Sequence, residues 1–337
     1  MNPTFTHEAD YRRERDFGAK INATFGFLKA QFRPLLKCLL YFVLPGALLT
    51  GIGIGLFFGR VMAAMPKPGQ PFAYGPKFIP GVSDVVGLFG GGLGALVAAL
   101  LLISTVYAFV RVRLDLPADE EVQPAQVWAY IRPRLGRMLL AMLLLSGLSL
   151  IAFFVWFGSM FGVVHAQSEG DGFSSALAVL GSMMLFFIPI MWFSIVLTQY
   201  FPVLWLEDEG VWAALRRSFY LIRGKWWSTF GLLMIVGMIQ SVFTFVFVIP
   251  LYGSMALTLL KIPGFGSPVV SVIGSCIYSI GIMLTYTIPL VAIMFQYFNL
   301  VERRDAYGLR LLVSRLGQTP APETYNSQLR PDEQGEY

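Results

Sequence analysis

Apolar residues dominate six long stretches of the chain: Leu35 to Phe58, Val85 to Val110, Met138 to Val164, Ala176 to Val203, Thr229 to Leu251 and Ser271 to Phe298. None of them contains Asp, Glu or Arg, and the one Lys is Lys37 at the start of the first. About 20 residues of helix cross the roughly 30 Å hydrocarbon layer of a bilayer. Backbone groups at that depth find no water, so runs of this length satisfy them internally as helix. The pattern predicts an all-α polytopic membrane helix bundle with six transmembrane helices.

Ahead of each odd-numbered span the pattern changes from continuous to periodic. Apolar positions fall at Phe17, Ile21, Phe25, Leu28 and Phe32, then at Val127, Ile131 and Leu135, then at Val211, Leu215, Phe219 and Ile222. Spacings of three and four describe one face of an amphipathic helix. Each stripe closes on cations: Lys29, Arg33 and Lys37; Arg132, Arg134 and Arg137; Arg216, Arg217, Arg223 and Lys225. Acids precede two of them, as Asp119, Glu120 and Glu121 and as Glu207, Asp208 and Glu209, the order that the helix dipole favours. Even-numbered spans also end alike, in Gln199-Tyr200-Phe201 and Gln296-Tyr297-Phe298, with Tyr107-Ala108-Phe109 a looser copy. The anchors recur at intervals of about 95 residues, which predicts three pseudo-repeats, each a cytoplasmic amphipathic helix followed by two spans. The units run over about 17–115, 116–208 and 209–305. They are preceded by an N-terminal tail over 1–16 and followed by a short interfacial helix over 306–316 and a disordered tail over 317–337.

Charge sets the expected orientation. Arg60, Lys67, Lys77 and Lys261 fall on one side of the six spans, and the other 21 of the 25 Lys and Arg on the opposite side. The positive-inside tendency therefore places both termini in the cytoplasm, and the expected location is the bacterial inner membrane. The first apolar run begins too late for a secretory signal peptide and is expected to remain as a span. Composition agrees with the spans: 56% of residues are hydrophobic and 13% charged, with a mean hydropathy of +0.65. A net charge of +5 in so long a chain does not suggest nucleic acid. The two cysteines, Cys38 and Cys276, lie far apart in apolar segments and offer no disulfide framework.

The third unit carries a resemblance. Ala213-Ala214-Leu215-Arg216-Arg217-Ser218-Phe219, then Arg223-Gly224-Lys225-Trp226-Trp227 and a long apolar run, resemble a group of uncharacterised bacterial six-span proteins. That group includes the membrane domain fused to some glycerophosphoryl diester phosphodiesterases. The resemblance implies a helical membrane domain. In those fusions activity resides in a separate soluble barrel, which is not expected here.

Candidate chemistry is sparse. Only His7 and His165 are available as imidazoles, so no histidine-based metal site is expected. The acids Asp84, Glu169 and Asp171 could meet His165 but are expected to be solvated loop residues. The spans carry no ionisable group at mid-depth, as coupled transporters do. Their polar residues Gln199, Gln240, Thr244, Thr285, Thr287 and Gln296 fit hydrogen bonds between helices. Gly51, Gly53, Gly55 and Gly59, with Gly90, Gly91, Gly92 and Gly94, fit close helix packing rather than a phosphate loop. Pro45, Pro189, Pro250 and Pro289 are expected to kink their spans. The proline-rich connection over 66–80 suggests an extended outer loop.

What remains are the basic collars. Arg132, Arg134, Arg137, Arg216, Arg217, Arg223 and Lys225, beside Trp226 and Trp227, are candidates for anionic-lipid headgroups, because cations at that level attract anionic lipid and tryptophan prefers the interface. The expected protein is not an enzyme and has no cofactor. It is a lipid-interacting or partner-binding membrane module whose partners are membrane lipids, with a membrane protein or a second copy as further candidates. The alternative is a transporter or channel for a neutral or lipid-like solute.

Overall fold

A computed structural model describes residues 5–63, 81–117, 119–166, 172–260, 262 and 267–306. Among these there are helices and no strands: α1 (Phe17–Ala30), α2 (Phe32–Phe42), α3 (Leu44–Ala63), α4 (Val82–Asp115), α5 (Pro124–Ile131), α6 (Leu135–Ala166), α7 (Gly172–Leu197), α8 (Tyr200–Leu206), α9 (Val211–Ile222), α10 (Trp226–Leu259) and α11 (Pro268–Asp305). The six predicted spans overlap α3, α4, α6, α7, α10 and α11, each long and apolar enough to cross a membrane. The chain is a multi-pass, all-α membrane protein. The expected outer loop over 66–80 and tail over 317–337, and all but Ala306 of the expected interfacial helix over 306–316, lie outside the described residues.

Two spans differ from their predicted form. The first is divided at Val43 between α2 and α3, and Pro45 stands at the second position of α3 instead of kinking it. No intrahelical bond is due to the N–H that proline lacks there, so the helix starts without loss. The fourth ends at Leu197 and resumes as α8 after Thr198 and Gln199. Pro189, Pro250 and Pro289 do lie inside α7, α10 and α11.

The glycines of α3 set the tightest packing. A Cβ added to Gly51 would come within 2.5 Å of the Cys276 backbone, and one on Gly55 within 2.5 Å of Val272, both on α11. On the other flank, a Cβ on Gly53 would meet Gly87 and Gly91 of α4 at 2.4 and 2.5 Å. Such contacts let helix backbones touch, the association that small residues provide in lipid. Farther along, α10 joins α11 through Phe247 against Gly281 and a 2.9 Å hydrogen bond between the Thr244 and Thr285 hydroxyls.

The α6–α7 hairpin is built differently. Its buried residues are Met138, Ala141, Ile195 and Val196, all near the end where α5, α8 and α9 lie, which we term the capped end. Farther out, Phe154, Phe161, Phe173 and Leu185 are exposed apolar side chains, as expected for surface facing lipid.

The core is concentrated at the capped end. Tyr107, Tyr200 and Tyr297, which close the even-numbered spans, are all buried there, with Phe109, Trp205, Phe295 and Phe298. Residues ahead of α1, set apart as a tail by their polarity, also enter this core. Phe5 and Tyr11 are fully buried, with Tyr11 stacked on Phe295 at 6.1 Å and Phe5 edge-on to Phe27 at 5.8 Å. Arg15 fixes the segment: its N–H donates to Asn299 Oδ1 at 2.8 Å, its guanidinium donates to the Tyr11 carbonyl at 2.8 Å and lies over the Phe295 ring at 5.0 Å. Burial lowers that guanidinium to about 10.

Candidate functional site

The basic residues at the capped end divide into two groups according to what surrounds them. Asp208 lies ahead of α9 in a left-handed backbone conformation, φ 55°, which turns its carboxylate towards the starts and ends of neighbouring helices. Arg111 reaches it at 2.6 Å, Arg134 at 3.0 Å and Arg137 at 3.1 Å. Two of these arginines also cap carbonyls at the end of α8: Arg111 donates to Trp205 O at 2.8 Å and Arg137 to Leu204 O at 3.1 Å. Burial works to raise the Asp208 carboxyl, but hydrogen bonds from Arg137 and Arg134 and the charge of Arg111 hold it below its usual range.

Glu207 makes a second node. It receives Arg217 at 3.0 Å and the Tyr297 hydroxyl at 2.9 Å, and Arg217 also pairs with Asp305. Burial alone would lower the Arg217 guanidinium, yet its bonds to Asp305 and Glu207 raise it well above its ordinary value. These acids therefore do more than favour the start of α9. They tie α8, α9 and the ends of α4, α6 and α11 together, and Arg134, Arg137 and Arg217 are internal staples.

Arg132, Arg216, Arg223 and Lys225 form the other group. All four are exposed, and none has an ion pair with an acid among the described residues. Helix α9 holds Arg216 and Arg217 on different sides. It buries Ala214, Ser218, Leu221 and Ile222, one position away from most of the predicted stripe, while Val211, Leu215 and Phe219 are half-buried. Past its end, Gly224 takes φ 76°, a left-handed conformation that favours glycine, and the chain turns into α10. Trp226 packs inward, stacked on Phe230 at 5.3 Å and donating from Nε1 to the Trp192 carbonyl of α7 at 3.2 Å. Trp227 is 76% exposed. The sequence-nominated residues are thus brought to one end of the molecule, but only part of the set is open to a ligand.

Lys20 was missed by the sequence reasoning. The predicted face of α1 was Phe17, Ile21, Phe25, Leu28 and Phe32, yet the buried residues are Lys20, Ala23, Thr24 and Phe27, and Phe17 and Phe32 are exposed. Lys20 Nζ donates to Gln296 Oε1 at 2.8 Å, whose Nε2 donates to the Thr229 hydroxyl at 2.8 Å. Burial lowers the Lys20 ammonium, with nearby Arg303 acting in the same direction. A lysine seven positions before Phe27, on the same helix face, was the available signal. It was outweighed by the more numerous aromatic positions.

Other candidate groups are locally accounted for. Asp84, expected to be a solvated loop residue, is instead buried in the first turn of α4, where it accepts the Gly81 N–H at 2.8 Å and pairs with Arg60 at 3.0 Å. His165 stacks on Phe161 at 6.3 Å, while Glu169 and Asp171 lie outside the described residues. Among the described residues no three His, Cys, Asp or Glu side chains are grouped as metal ligands.

Residues 30–303 match a family described as a family of unknown function (DUF7544). That segment contains all six long helices but for the last two residues of α11, and leaves out Phe5 to Lys29. No curated protein and no solved structure matches the chain.

Proposed function

We propose that this chain, which belongs to the family of unknown function DUF7544, is a non-enzymatic membrane module that binds anionic lipid at its capped end. We place that end in the cytoplasm of a bacterial inner membrane, with the chain organised as three pseudo-repeats. What carries this proposal is the division among the cations. Arg134, Arg137 and Arg217 are matched to Asp208, Glu207 and Asp305, whereas Arg132, Arg216, Arg223 and Lys225 are exposed without such partners, and Trp227, two residues after Lys225, is exposed as well. Unmatched cations at the ends of apolar spans are where a negative surface adds stabilisation, about 1 kcal/mol for each cation near the headgroups. The matched arginines lack that freedom, because their guanidiniums already face carboxylates.

The test is the thermal stability of the full chain in detergent, titrated with phosphatidylglycerol or with phosphatidylcholine. Stabilisation should be greater with phosphatidylglycerol, and replacing Arg132, Arg216, Arg223 and Lys225 together by Gln should erase the difference. Equal response to both lipids in the native chain would overturn the proposal.

A further inference from the structure

An apolar groove runs between α6 and α7, about 820 Å³ in volume, with Ile151, Phe153 and Trp156 on one wall and Pro189, Trp192 and Phe193 on the other. It exists because the two helices do not close on one another there. Pro189 of α7, on the groove wall, removes a backbone donor and crowds the preceding turn.

One wall of this groove packs on α9, the helix that carries Arg216. Trp192 and Phe193 both touch Phe219 of α9, with ring centroids 6.0 and 5.7 Å apart, and Trp226 bonds to the Trp192 carbonyl. Phe219 stands three residues after Arg216, on the same face of α9, and four before Arg223, which directly follows the last residue of the helix. An apolar trough of ligand size therefore adjoins the helix that carries Arg216 and ends at Arg223.

We infer that this junction binds one whole anionic phospholipid, with its phosphate at Arg216 and Arg223 and an acyl chain lying in the groove between α6 and α7. The inference rests on the anionic-lipid function proposed above and adds to it a defined chain site. A superficial attraction of headgroups would use the cations alone. Here the aromatic walls lead from the helix that carries Arg216 into the span region, and the two parts match the polar and apolar halves of a single lipid. Arginine suits the polar half, because its planar fork binds phosphate oxygens in pairs.

Native mass spectrometry of the full chain, titrated with dioleoyl phosphatidylglycerol and with its dihexanoyl analogue, separates the two parts. Ala152→Trp, which fills the groove, should weaken the dioleoyl lipid at least tenfold and leave the dihexanoyl lipid within twofold. Ser194→Trp on the facing wall is the second variant, and a variant is scored only if its elution and helicity match the native chain. The double change Arg216→Gln with Arg223→Gln should weaken both lipids. Unchanged dioleoyl binding in both groove variants would overturn the chain site while leaving headgroup binding intact. Unchanged binding of both lipids in the double-Gln variant would overturn the headgroup site.

Discussion

Gly51, Gly53 and Gly55 on α3 and Gly147, Gly158 and Gly162 on α6 are the same residue in two apolar helices, yet they do different things. The α3 glycines sit against backbone of α4 and α11, with no room for a methyl group, while those of α6 face open space. A small residue becomes a packing device only when a partner helix is present at its level. The region around α3 is therefore held along its length, and the α6–α7 hairpin chiefly at the capped end, through Met138, Ala141, Ile195, Val196 and the arginines on Asp208. In lipid nothing apolar drives the hairpin closed, since acyl chains solvate it as well as another helix would.

This contrast is most directly broken with one methyl group. Gly53→Ala should destabilise the chain by about 3 kcal/mol, because the obstruction is backbone and the helices must separate. Gly158→Ala should stay within about 0.5 kcal/mol. Thermal unfolding of the two purified variants measures the gap, and equal midpoints would mean that α3 is not clamped.

A smaller effect is expected at the hairpin's attachment. Asp208→Asn leaves Arg111, Arg134 and Arg137 without their shared anion, a loss of roughly 1–2 kcal/mol once solvent screening of this partly exposed carboxylate is allowed for. Because folding lowers the Asp208 carboxyl, its contribution is complete above the usual carboxylate range and disappears as the pH falls through the folded-state value. Stability of the native chain should therefore converge on that of the Asn variant in acid. Parallel curves at every pH would remove Asp208 as the source. The smallest change is expected from Arg216→Gln with Arg223→Gln, under about 0.5 kcal/mol in lipid-free detergent. A large loss there would reclassify those arginines as staples like Arg217.

Much of this was legible in advance, for reasons that differ by region. The six spans follow from the bilayer's demand for about 20 apolar residues with internally bonded backbone, a one-dimensional requirement. Close packing at Gly51, Gly53 and Gly55 was also foreseeable from their spacing, but which glycines would find a partner was not. Face assignment failed by a single position on α1 and for most of α9, since in a membrane protein an apolar stripe can face lipid as well as core. There, apolarity no longer marks the inside. Phe5 and Tyr11 went unrecognised because two aromatics among polar residues carry no periodicity, and their burial depends on Phe27, Phe295 and Phe298 arriving from elsewhere.

The sequence by itself determined that the chain enters a membrane, through how many helices, and at which ends its cations gather, because hydropathy and charge act locally along the chain. Tertiary structure alone decided which cations are matched and which are open. Arg216 and Arg217 are neighbours in sequence, but a turn of 100° per residue sends one outward and the other to Glu207 and Asp305. That difference depends on acids carried by segments far apart in the chain, and only their convergence at the capped end makes it physical.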